Sequence, residues 1–133
     1  MIGTDTNILL RGFLQDDPVQ LSQVRDFLTK ARDSHEPVLV TTIVLCETVW
    51  NLRSKGRRRA EIAQIIEDLL GSDVFLIEHN DLVGSAVASY RAGKGDFADY
   101  LIAEVNQAKG CRYTVTFDSD LLDEPGFKPV SKR

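Results

Sequence analysis

Apolar residues along the chain recur at two spacings, and the two alternate. Met1 to Thr4 form a short, mostly apolar run of strand type. Ile8 to Leu14 then read as a short helix that Thr6 or Asn7 can cap, and Asp16-Asp17-Pro18 is a start signal for a second helix. Val24, Phe27, Leu28 and Ala31 give that second helix one apolar face up to Asp33-Ser34. Pro37 to Val40 is β-branched and strand-like, and Thr41-Thr42 caps a third helix running to about Ser54. Ile62, Ile65, Ile66 and Leu69 mark a fourth helix, which Gly71 is expected to end in a left-handed conformation. Val74 to Ile77 is a buried strand. Asn80 caps a fifth helix with Val83, Ala86, Val87 and Tyr90 on one face, broken at Gly93-Lys94-Gly95. A sixth helix opens at Asp96 and closes near Gly110, before a strand over Tyr113 to Phe117. Ser119 to Leu122 suit a helical turn, and Phe127 to Val130 an edge strand that tolerates Pro129.

Strands alternating with helices predict an α/β fold with a parallel sheet, and the first strand, flanked by helical patterns, is expected in its middle. At 133 residues with 43% hydrophobic side chains, the chain suits one domain over residues 1–133, with no repeat or linker. The net charge of -4 and pI near 5.1 exclude a broadly basic nucleic-acid coat, so any such contact is local. No apolar run approaches the roughly 18 to 20 residues that span a membrane, which makes a cytoplasmic protein the expectation. Cys46, Cys111, His35 and His79 have no metal-ligand spacing, and the cysteines read as inert thiols.

The chemistry lies in the acids. Asp5 and Asp118 each stand just beyond a strand, at the end where open α/β sheets bind ligands. Asp96 and Asp99 open the sixth helix, where capping alone would explain them, yet Asp99 shares its face with Ile102, Ala103 and Asn106. Glu47 sits among Ile43, Val44 and Trp50 on the third helix, so it either needs a partner or edges into water. If Asp5, Glu47, Asp99 and Asp118 converge, they stay ionised together only around a cation. Mg²⁺ or Mn²⁺ suits such hard oxygen ligands, and the chemistry it supports on a phosphodiester is that of a nuclease.

Asp5-Thr6-Asn7 after an apolar strand, Thr41-Thr42 ahead of Glu47, Asp96-Phe97-Ala98-Asp99 before Leu101-Ile102-Ala103, and Thr116-Phe117-Asp118 together resemble the ordered motifs of the PIN domain. The small size and the run Asp5 to Arg11 most resemble the VapC-type toxins of bacterial toxin–antitoxin pairs. The resemblance implies a three-layer fold, with a central parallel sheet of about five strands and helices on both faces. It also implies an endoribonuclease dependent on Mg²⁺, with Mn²⁺ as substitute, an RNA substrate, a cognate antitoxin and a homodimer. Position by position, Asp5, Glu47, Asp99 and Asp118 match the family's catalytic acidic quartet, with Asp5, Asp99, Asp118 and the additional acid Asp96 at the metal. Thr6 and Thr116 match accessory hydroxyl positions, and Asp120 is at most a further accessory.

Arg57, Arg58 and Arg59 form a basic turn that can steer RNA, although such runs are more often solvated loops. Leu9, Leu10 and Phe13 suit either core packing or a groove for a partner helix. Two other classes fit the same outline. A non-catalytic RNA- or protein-binding module would share the fold but lack metal ligands, and a receiver-like phosphoryl-accepting domain would need a lysine after its last core strand, for which Lys128 is poorly placed.

Overall fold

The computed structural model describes residues 1–131 and falls into two compact units, Met1–Asn80 and the chain from Asp81 onward. The first unit runs β1 (Ile2–Gly3), α1 (Thr6–Leu14), α2 (Pro18–Asp33), β2 (Val38–Val40), α3 (Thr42–Ser54), α4 (Arg59–Leu70) and β3 (Phe75–Ile77). The three strands pair in parallel in the order β1-β2-β3, with Ile2 opposite Val38 and Val40 opposite Ile77. Parallel neighbours demand crossovers, and the helices between the strands supply them. Val38 and Val40 of β2 are wholly buried, as the middle strand of a covered parallel sheet requires.

The pairing departs from expectation in one respect. Within this sheet β1 is an edge strand and β2 the centre, because β1 has only two residues, both solvent-exposed, whereas β2 carries the buried β-branched pair. Among the described residues five strands form, but they pair as three and two, so the parallel sheet is smaller than predicted while the α/β class, with six helices among those residues, stands.

The local signals explain most helix ends. Asp17 caps α2 by accepting the Gln20 N–H at 3.0 Å with Pro18 in the first turn, and the Thr41 hydroxyl accepts the Val44 N–H at the start of α3. Gly71 ends α4 with φ of -87°, so the expected left-handed conformation does not form; its N–H closes the helix by donating to the Glu67 carbonyl. Ala31, Val38 and Val74 form a core cluster against Phe27, Leu28 and Phe75, joining α2 to the sheet.

The second unit comprises α5 (Asn80–Ala92, whose first residue closes the first unit), α6 (Phe97–Ala108), β4 (Thr114–Thr116), a 3₁₀ turn (Ser119–Leu121) and β5 (Phe127–Pro129). β4 and β5 pair in parallel, Thr114 opposite Phe127 and Thr116 opposite Pro129, so the proline lies on an edge strand. Tyr90 and Phe97 meet edge to face, 6.1 Å between centroids, and fix the turn between α5 and α6. Among the described residues no helix is long and apolar enough to cross a membrane.

Candidate active site

Asp5 is the N-cap of α1, a role the sequence suggested for Thr6 or Asn7. Its backbone is extended (φ -107°, ψ 177°), and Oδ1 accepts the Ile8 N–H at 3.3 Å. Oδ2 has no partner among the described residues, and Asp5 as a residue is exposed. One oxygen thus aims the carboxylate while the other stays open. Thr6 begins the helix beside it and is half-buried.

Glu47 takes the second of the two readings its sequence allows and lies in water. The face of α3 turned to the core is Leu45, Thr48, Val49 and Leu52, and the face holding Glu47 is exposed together with Ile43 and Trp50, which are 71% and 74% accessible. Glu47 therefore has no desolvation cost to offset, and among the described residues its carboxylate is in no ion pair. The helix has apolar residues on two sides, and packing selected the other one.

In the second unit Asp96 and Asp99 form a capping box at the start of α6, with the Asp96 N–H donating to Asp99 Oδ2 at 3.2 Å. The approach to that box is held tightly. The Tyr100 hydroxyl accepts the Gly95 N–H at 3.0 Å and donates to Glu124 Oε1 at 2.9 Å, and burial pushes the Tyr100 phenol above its ordinary pKa. A side chain at Gly93 would strike the Tyr100 hydroxyl and Glu124, and one at Gly95 would strike Leu121. Asp118 follows β4 and caps the 3₁₀ turn: Oδ1 accepts the Asp120 N–H at 3.0 Å, while the Thr116 hydroxyl accepts the Asp118 N–H at 3.0 Å. Asp118 repeats the design of Asp5, one oxygen bonded to the backbone and Oδ2 open among the described residues.

The quartet is divided two and two. Asp5 and Glu47 belong to the first unit, Asp99 and Asp118 to the second with Asp96, Thr116 and Asp120. Within either unit, among the described residues, no three His, Cys, Asp or Glu side chains are gathered closely enough to enclose a metal ion. The donors are all carboxylates, two of them pre-aimed by backbone N–H groups, a set that fits a hard divalent cation and not a soft one. Cys46 is half-buried with its thiol pushed up by burial, as expected of an inert cysteine, and Cys111 is exposed.

The basic turn has structural work. Arg58 Nε donates to Glu61 Oε1 at 2.8 Å, Arg57 lies 3.9 Å from the same carboxylate, and Arg57 also donates to the Phe13 carbonyl at 3.4 Å, tying the end of α1 to the start of α4. Leu9 and Leu10 are buried and Phe13 half-buried, so the first two serve the core.

One acid was passed over in the sequence. Glu78 follows β3 as Asp5 follows β1, and its Oε1 accepts both the Thr42 N–H at 2.9 Å and the Thr42 hydroxyl at 3.1 Å. The Thr42 N–H, and then its hydroxyl, hold the Glu78 carboxyl below the usual range. It fixes the start of α3, the helix that carries Glu47. The signal was available, since an acid directly after a strand had already marked Asp5 and Asp118.

Residues 2–128 match the model of the PIN domain family, and the chain belongs to that family. It is similar to a VapC ribonuclease of Aquifex aeolicus (strain VF5), 25% identical over 128 residues that cover 96% of this chain and 93% of the relative. No solved structure matches the chain.

Proposed function

We propose that the chain is a divalent-metal-dependent endoribonuclease, the toxin of a bacterial toxin–antitoxin pair, acting as a single PIN domain over residues 1–133. The observation that carries the proposal is the family match over residues 2–128, an interval that contains Asp5, Glu47, Asp99 and Asp118 in the order the motifs require. The similarity to a VapC ribonuclease across nearly the full length of both chains supports the toxin reading.

In this reading Asp5 and Asp99 are the principal ligands, Asp118 and Asp96 support them, and Mg²⁺ is the ion, replaceable by Mn²⁺. When bound, such an ion supplies Lewis acidity at the phosphodiester and lowers the pKa of water. The chain's own contribution is orientation. Backbone N–H groups at the starts of α1 and the 3₁₀ turn hold Asp5 and Asp118 through one oxygen, so little side-chain entropy remains to be lost on binding. Glu47, exposed and in no ion pair among the described residues, supports the other acids of the quartet in this reading. Thr6, Thr116 and Asp120 are accessories in this reading, and the Thr116 hydroxyl accepts the Asp118 N–H. A cognate antitoxin, a homodimer and the cytoplasm complete the proposal.

The test is cleavage of RNA by the purified chain with Mn²⁺, with a chelator, and in Asp5→Asn and Asp99→Asn. Cleavage that needs the ion and falls to background in both variants is the expected result. Undiminished cleavage in both would remove the assignment.

A further inference from the structure

A cleft of about 270 Å³ opens between α1 and α2, with Asp5 among the residues that line it. Two facing stripes line it. Asn7 and Arg11, four residues apart on α1, stand opposite Gln20, Gln23 and Phe27, spaced three and four apart on α2. We infer that this cleft is a nucleobase subsite, which receives one unpaired RNA base beside the scissile phosphate and sets the base preference of cleavage. The inference rests on the nuclease reading above and specifies its substrate contact.

Several observations point to a base and away from a phosphate. The side-chain amides of Asn7, Gln20 and Gln23 are in no hydrogen bond among the described residues, so their donors and acceptors remain available. Paired amide donors and acceptors match the edges of bases. The Arg11 guanidinium donates through one nitrogen to Asp16 at 2.7 Å, which partly offsets its charge and makes it less of a phosphate clamp. Phe27 supplies an apolar wall for a flat ring. A volume near 270 Å³ accommodates one base, not a run of them.

Gln20 and Gln23 are exposed, so replacing them leaves the core intact. The experiment compares the whole chain with Gln20→Ala/Gln23→Ala in two ways: end-mapping of cuts in a randomised RNA pool with Mn²⁺, and binding of labelled U, A, C and G octamers. The wild-type chain is expected to prefer one base next to the cut and one octamer. In the double variant that preference is expected to fall about tenfold, the scale of one bidentate base contact. An unchanged cut profile and octamer ranking would overturn the inference, as would a wild-type chain with no preference in either assay. A wild-type chain that cuts nothing but whose octamer ranking collapses in the variant would defeat the nuclease reading while sustaining the subsite.

Discussion

Asp5 and Asp118 show how a single residue can order a turn and still keep a carboxylate oxygen open. Each closes a strand, gives one oxygen to a backbone N–H of the following turn, and keeps the other open. Their positions were readable because an acid after an apolar run is a local signal. Glu47 was not readable in the same way: Ile43, Val44, Leu45 and Cys46 are consecutive, so the sequence gives α3 two candidate apolar faces, and only packing selects between them. Exposure at Trp50 leads to a prediction. Trp50→Ser should change unfolding free energy by no more than about 0.5 kcal/mol, as for other surface positions, when measured by urea denaturation. A loss of several kcal/mol would mean that this face is covered. Gly93 lies at the other extreme. Gly93→Ala should cost about 1–3 kcal/mol, since its methyl group would displace the bonded Tyr100 and Glu124 pair. Full stability in the same urea assay would contradict that geometry.

Helix starts were the most legible elements, because capping is decided by neighbours in sequence. Asp17, Thr41 and Asp96 all cap where local chemistry placed them. Strand position was less so: β1 and β2 are both short apolar runs, and which one takes the centre depends on pairing between segments some 35 residues apart, as Ile2 opposite Val38 shows. The link from Glu78 to Thr42, also between distant segments, yields a pH prediction. The folded chain holds the Glu78 carboxyl below its unfolded pKa, so its contribution is fully present above the ordinary glutamate range and is lost as pH falls through the lowered value. Glu78→Gln should therefore be less stable than the wild-type chain near neutrality, by no more than about 1 kcal/mol because the pair is solvent-screened. The gap should close in acid, as followed by thermal melts from pH 7 down to pH 3. A gap independent of pH would refute the ionised contact.

An acidic molecule that acts on a polyanion must confine its favourable contacts to a few positions, and the Arg57-Arg58-Arg59 turn is the basic run in the sequence. Two of its members already hold Glu61 and the end of α1, which is why sequence alone left its role divided. If the turn also meets RNA, replacing all three with glutamine should lower the log–log salt slope of RNA binding by at least about 0.7, the share of one phosphate contact on a single strand. An unchanged slope would leave the turn a structural role alone. The family was legible in the ordered acids, and the match over residues 2–128 confirms it. The central claim, that those acids hold a divalent ion for RNA cleavage, is tested most directly by titrating Mn²⁺ into the wild-type, Asp5→Asn and Asp99→Asn chains while following RNA cleavage. Cleavage is expected to saturate with Mn²⁺ in the wild-type chain and to stay at background in both variants at every concentration; equal cleavage by all three, or cleavage indifferent to the ion, would refute it.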